Sequence, residues 1–263
     1  CALPIYFNAG PAALPLDVLK EAQAELLDFG GTGMSVMELS HRSKDYEAVH
    51  DHAQALLRKL VGISDDYAVL FVQGGASLQF SMVPMNLLSP GQAANYILTG
   101  SWSEKALAEA KKVGKTKVGA SSKDKKYSCI PALVDLDLGP DDGYVHITSN
   151  NTIYGTQWRQ FPSTNSVPLV ADMSSDILSR TLDVEKFALI YAGAQKNLGP
   201  SGVTVVIIRK DLLERSPRNL PTMLDYNTHA SKNSMYNTPP TFGIYLLGKV
   251  LGWVDRYGGV RAI

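Results

Sequence analysis

Seven short apolar runs punctuate the chain: Ala68 to Val72, Ala94 to Leu98, Thr116 to Ala120, Tyr144 to Ile147, Pro168 to Asp172, Ala188 to Ala192 and Val203 to Arg209. Each has the length of a strand, and several are separated by stretches with helical spacing, such as Ser103 to Val113. This alternation predicts an α/β domain whose seven-stranded sheet is mostly parallel and covered by helices on both faces. The last two runs are joined only through Gly199, Pro200, Ser201 and Gly202, too short for a parallel crossover. That pair is therefore expected to be antiparallel and the sheet mixed.

The helical periods flank this pattern. Pro15 suits the first turn of a helix whose apolar face holds Val18, Leu19, Ala22, Leu26 and Leu27, ended by Gly30, Gly31 and Gly33. A loop with Ser40, His41 and Arg42 leads to a second helix starting near Ser43, with Val49, Ala53, Leu56, Leu57 and Leu60 at helical spacing. Pro239 and Pro240 precede a final helix through Phe242, Tyr245, Leu246, Val250, Leu251 and Trp253, which ends near Gly258 and Gly259. A long apolar helix so close to Ile263 leads to the expectation that further chain belongs after it. Lys123, Asp124, Lys125 and Lys126 read as a solvated loop.

Composition narrows the function more than the fold. Lys plus Arg and Asp plus Glu number 25 each, so no global field favours nucleic acid or a membrane surface, and a ligand must be recognised locally. The two cysteines, Cys1 and Cys129, form neither a disulfide framework nor a metal-ligand spacing, which fits a reducing compartment. No apolar run reaches membrane-spanning length and the start lacks the order of a signal peptide, so a cytoplasmic protein is expected.

The chemistry gathers at the ends of the apolar runs. The run from Leu189 to Ala192 delivers Lys196 to a glycine-rich turn, and a lysine desolvated there is a candidate nucleophile towards a carbonyl carbon. The run ending at Asp172 supplies a carboxylate, followed by Met173, Ser174 and Ser175. After the first run, Gln73, Gly74, Gly75, Ala76 and Ser77 open a helix whose free N–H groups can cradle a phosphate. Trp102 follows the second run, and His41 with Arg42 precedes a helix start, good ground for an anion. Each feature has a plainer reading: a surface lysine, a helix-capping aspartate, a tight glycine turn, a core or interface tryptophan, a solvated arginine beside a capping histidine. Together they offer what a pyridine ring with an aldehyde and a phosphate tail requires: cradle, flat partner, ring-nitrogen carboxylate and amine. In an open α/β sheet such groups converge at one edge, where ligands bind.

Blocks of sequence around these residues resemble the phosphoserine aminotransferases, pyridoxal-phosphate enzymes of fold type I among the class V aminotransferases. They are Asn8, Gly10 and Pro11; Ser35 to Arg42; Gly74 to Phe80; Thr99 to Trp102; Ser149 to Gly155; Ala171 to Arg180; Ile190 to Val206; and Tyr236 to Phe242. The resemblance implies Lys196 as the cofactor lysine, Asp172 as the ring-nitrogen partner and Trp102 on the ring face. It implies Gly75, Ala76, Ser77 and Gln195 at the phosphate and Thr152 at the ring hydroxyl. Asn237 and Thr238 would reach the phosphate from the other subunit of a homodimer with shared active sites, and Arg42 would bind the substrate's acidic group with His41 beside it. The implied reaction moves an amino group between glutamate and 3-phosphohydroxypyruvate, with a longer phosphorylated oxo acid of vitamin B6 synthesis as a second substrate. The implied organisation is an N-terminal segment (1–15), a large cofactor-binding domain (16–257) and the start of a small domain (258–263). The rest of that domain, about a hundred residues in the family, is absent here, so the chain is expected to keep the cofactor site and to lack part of the substrate site. Three other readings stay open: a relative acting on an unphosphorylated amino acid, a fragment that binds the cofactor and dimerises without turnover, and a cofactor-free lyase using Lys196.

Overall fold

The computed structural model describes residues 10–132, 136, 138–216 and 219–263. Cys1, Asn8 and the rest of the N-terminal segment through residue 9 lie outside the described residues. Helices α1 (Leu16–Ala24) and α2 (Lys44–Val61) come first, followed by β1 (Tyr67–Val72), α3 (Gly75–Leu87), β2 (Ala93–Leu98), α4 (Ser101–Val113) and β3 (Lys115–Ser121). Next come β4 (Asp142–Thr148) and two short strands, β5 (Asn150–Asn151) and β6 (Thr156–Gln157), then β7 (Leu169–Asp172), β8 (Leu189–Gly193) and β9 (Thr204–Arg209). Helices α5 (Lys210–Leu213), α6 (Tyr226–Ser231) and α7 (Thr241–Arg256) close the order.

The seven predicted strands form one sheet in the order β1-β9-β8-β7-β4-β2-β3, with β5 and β6 as a separate two-residue ladder. Strands β3, β2, β4, β7 and β8 run parallel, and β9 is antiparallel to β8, as the short 199–202 connection requires. Strand β9 is also antiparallel to β1, a pairing that no short connection signals in the sequence. Strands β4, β7 and β8 are buried at every position because helices cover both faces. On one face, residues such as Ala53, Leu57, Leu247 and Leu251 of α2 and α7 pack against Phe71, Ile147, Ala171, Ile190 and Val205. On the other, Phe80, Met82, Val83 and Ala106 of α3 and α4 pack against Tyr96, Val170, Tyr191 and Val206. Burial of apolar side chains on both faces, roughly 1.5–3 kcal/mol each, is what orders a sheet rich in non-local pairings.

Local chemistry sets the helix ends. Ser43 caps α2, its Oγ accepting from the Tyr46 N–H at 3.3 Å, with Asp45 and Glu47 in the first turn. Helix α1 is shorter than its periodicity predicts: it stops at Ala24, and Leu26 and Leu27 lie exposed beyond it. Pro15 is the residue just before α1 and not in its first turn. What holds α1 is the packing of Val18 and Ala22 on Tyr245, Leu246 and Val250, reinforced where Tyr245 donates to Glu25 at 2.6 Å.

Helix α7 approaches the Lys196 segment closely at Gly199, where a Cβ would stand 3.2 Å from the Leu247 Cα. Gly199→Ala is expected to push the helix and the segment apart at a cost of about 1–3 kcal/mol, read as a lower urea midpoint with an unchanged slope. An unaltered midpoint would show that this approach is slack.

Candidate active site

The five parallel strands all end at one edge of the sheet, and the register places the functional segments there. Thr148 pairs with Asp172, and Asp172 with Tyr191, so β4 and β7 end level and β8 runs two residues further, to Gly193. Thr204 of β9 pairs with Gly193 on one side and with Val72 on the other. The turn after β1, carrying Gly74 to Ser77, is thereby set beside the segment after β8, carrying Gln195 and Lys196.

Gly74 adopts φ +87 at the start of α3, and a Cβ there would stand 2.6 Å from Leu78, so glycine alone fits. No side chain caps this helix. The N–H groups of Gly75, Ala76 and Ser77 fall within its first turn, where no intrahelical carbonyl is available, the arrangement in which a helix terminus can accept an anion. Gln195 is half-buried, with its carbonyl accepting from the Ala12 N–H at 2.8 Å.

Around Lys196 the structure brings together Thr152, Trp102 and Asp172. The Lys196 Nζ lies 3.5 Å from the Thr152 Oγ1 and 5.9 Å from the centre of the Trp102 ring. Burial pushes the lysine below its ordinary value, partly opposed by the Asp172 carboxylate. Burial raises Asp172 in turn, opposed first by hydrogen bonds from Ser174 and then by Lys196. Asp172 caps no helix; its Oδ1 accepts both the N–H and the Oγ–H of Ser174, at 2.9 and 2.7 Å. Sequence reasoning assigned Ser174 no part, although aspartate followed two residues later by serine is a recognisable Asx-turn signal.

The remaining predicted residues form a second group. Thr238 Oγ1 and His41 Nδ1 are 3.2 Å apart, joining the loop before α7 to the loop before α2. Asn237 lines a cleft of about 190 Å³ with Gln73 and Leu78, which flank the α3 turn. Arg42 is exposed, and among the described residues its guanidinium has no ion-pair partner. An exposed guanidinium of this kind is chemically able to pair with an anion.

Lysine, carboxylate, aromatic ring and uncapped helix terminus at one sheet edge fit a planar, phosphorylated aldehyde. The Trp102 Nε1 and the Thr148 Oγ1, buried without a partner among the described residues, add polar capacity to the same edge. The fold and site thus define an α/β lysine enzyme of the aminotransferase kind. The chain belongs to the family described as aminotransferase class-V, which matches residues 5–263, and within it to the phosphoserine aminotransferases. It is 67% identical to the phosphoserine aminotransferase of Geobacillus kaustophilus (strain HTA426) over 98% of this chain and 71% of that protein. The solved phosphoserine aminotransferase from Bacillus circulans subsp. alkalophilus superposes with a TM-score of 0.95 at 59% identity, over 97% of this chain and 71% of that one. A pyridoxal-phosphate-bound phosphoserine aminotransferase from Trichomonas vaginalis gives 0.90 at 40% identity, over 97% and 72%.

Beneath Asp172, the face of the sheet under the site carries His146, whose Nε2 lies 2.8 Å from the Tyr191 hydroxyl and whose ring stacks on Tyr96 at 4.8 Å. Burial pushes this imidazole down to about 3. The unfolded chain therefore takes up a proton that the folded chain refuses, so stability falls as pH drops from about 6.5 to about 3. Urea unfolding across this range is expected to show a loss of up to about 4 kcal/mol, smaller in His146→Gln. Equal pH dependence in both proteins would assign the acid sensitivity elsewhere.

Proposed function

We propose that this chain forms the cofactor-binding part of a pyridoxal-phosphate-dependent phosphoserine aminotransferase, which moves an amino group reversibly between glutamate and 3-phosphohydroxypyruvate. The observation that carries the reading is the convergence of Lys196, Asp172, Trp102 and Thr152 in a family whose members include a pyridoxal-phosphate-bound phosphoserine aminotransferase.

When bound, the cofactor supplies an aldehyde for an amine and a ring that draws electrons from the substrate's α-carbon. Lys196, whose ammonium form burial disfavours, would supply the amine that holds the cofactor. The Lys196 Nζ, when not bonded to the cofactor, would be the base that takes the substrate's α-carbon proton and the acid that returns it. Asp172 holds the proton on the ring nitrogen, since a carboxylate kept ionised beside it favours the charged ring. Trp102 would cover one ring face, Thr152 would meet the ring hydroxyl, and Gly75, Ala76, Ser77 and Gln195 would receive the phosphate. His41 and Arg42 bind the substrate's acidic group.

Asn237 and Thr238 reach the phosphate of the neighbouring copy in a homodimer. The Thr238–His41 contact supports placing His41 and Arg42 on that same shared side. Residues 16–257 form the large domain, a division supported by the end of α7 at Arg256 and the turn through Gly258 and Gly259, at φ +96 and +81. No helix among the described residues is long and apolar enough to cross a membrane, in keeping with a cytoplasmic enzyme.

Incubation with pyridoxal phosphate is expected to give a yellow protein, and borohydride reduction, which bleaches it, to leave a label that peptide mapping finds on Lys196. A label on another lysine, or none on a folded chain, would overturn the reading. In an active enzyme, Arg42→Ala should raise KM for the phosphorylated substrate roughly 10- to 100-fold, since a hydrogen bond to a charged group contributes about 1.5–3 kcal/mol. An unchanged KM would move the anion site elsewhere.

A further inference from the structure

Ser174 occupies a position that neither the reaction nor the family assignment accounts for. Its Oγ is the acceptor for the Gly193 N–H at 3.1 Å and lies 2.7 Å from the Asp172 Oδ1. The direction of this relay is unambiguous. A backbone N–H can only donate, so Ser174 receives it on a lone pair and turns its single hydroxyl hydrogen to the carboxylate. With the Ser174 N–H also on Oδ1, that oxygen carries two donors, whereas Oδ2 has no hydrogen bond among the described residues. The relay also ties the end of β8, three residues before Lys196, to the turn after β7. A second tie runs alongside it: the Asn197 Nδ2 donates to the carbonyls of Ser175 and Ile177, at 3.4 and 2.9 Å. Among the described residues, Ser174 alone supplies hydrogen bonds to the carboxylate. Ser175, next in the chain, turns away, its Oγ accepting from the Asn150 Nδ2 at 3.0 Å.

We propose that Ser174 is a positioning residue: by saturating Oδ1 it leaves Oδ2 as the oxygen that faces the cofactor's ring nitrogen, and it holds the carboxylate ionised there. The proposal rests on the assignment of Asp172 to that nitrogen. Removal of the hydroxyl strips one donor from the carboxylate and leaves the buried Gly193 N–H without its acceptor. The carboxylate then becomes the stronger base and draws the ring-nitrogen proton towards itself, weakening the pull of the ring on electrons.

Two spectroscopic readouts separate this role from a merely structural one. In cofactor-free protein with ¹³C-carboxyl aspartate, the Asp172 signal, assigned by its loss in Asp172→Asn, should titrate about one unit higher in Ser174→Ala. Ser174→Thr, which keeps the hydroxyl, should retain the original midpoint. Ser175→Ala, which loses a turn hydrogen bond but no carboxylate contact, should also leave it unmoved. In protein loaded with ring-¹⁵N pyridoxal phosphate, the nitrogen signal should shift from its protonated position towards that of neutral pyridine in Ser174→Ala only. Should the alanine variant not fold, Ser174→Cys, with a poor donor of similar size, replaces it. A folded variant with unmoved carboxyl and nitrogen signals would overturn the role of Ser174. A neutral ring nitrogen in the unmutated protein would overturn the Asp172 assignment and the proposal with it, while the carboxyl titration would still report whether Ser174 acts on Asp172.

Discussion

A carboxylate buried in a protein must be paid for in hydrogen bonds or counter-charge, and Asp172 is where this structure meets that demand. Its side chain lies inside the sheet edge, where desolvation disfavours its charged form. Two donors from one serine and the field of Lys196 act against desolvation. The lysine is in the reciprocal position, driven towards the free amine by burial and held back by the carboxylate. Burial thus disfavours the charged form of both groups, and each charge offsets part of that cost for the other.

The rest of the fold serves that juxtaposition. Parallel strands end together, so side chains at their last positions and in the turns beyond them crowd into one crevice. Helices on both faces keep water from the strands and allow consecutive apolar residues, which is why the sheet is dry enough to shift the charges at its edge. His146 shows how dry it is: an imidazole two residues before the end of β4 refuses its proton down to strongly acid pH.

Much of this was legible in the chain because it is written locally. Seven apolar runs stand for seven strands, and the 199–202 connection is too short to permit anything but an antiparallel pair. Lys196, Asp172 and Trp102 could be named because each follows directly on an apolar run. What could not be read was non-local. The pairing of β1 with β9 joins segments more than a hundred residues apart with no turn between them. The end of α1 was misjudged because Leu26 and Leu27 continue its period, while the packing that sustains the helix stops at Ala22. The contact between His41 and Thr238 likewise depends on where two distant loops come to rest. Asn237 and Thr238 carry no pattern of their own, and only a family resemblance could single them out. Ser174 is an intermediate case, local in its geometry but meaningful only once the carboxylate beside it is known to be buried.

The antiparallel strand β9 has an effect beyond closing one side of the sheet. Because Thr204 is paired at once with Val72 and with Gly193, a single strand fixes the offset between the turn holding the helix terminus and the segment holding the lysine. A slip of one residue would exchange the side chains of β9 between the two helix-covered faces, so the smallest slip that keeps each side chain on its own face is two residues, about 7 Å. That step is comparable to the breadth of an aromatic ring. The sheet therefore acts as a gauge with coarse graduations: register alone changes the spacing between the α3 turn and the lysine segment in whole steps, never gradually.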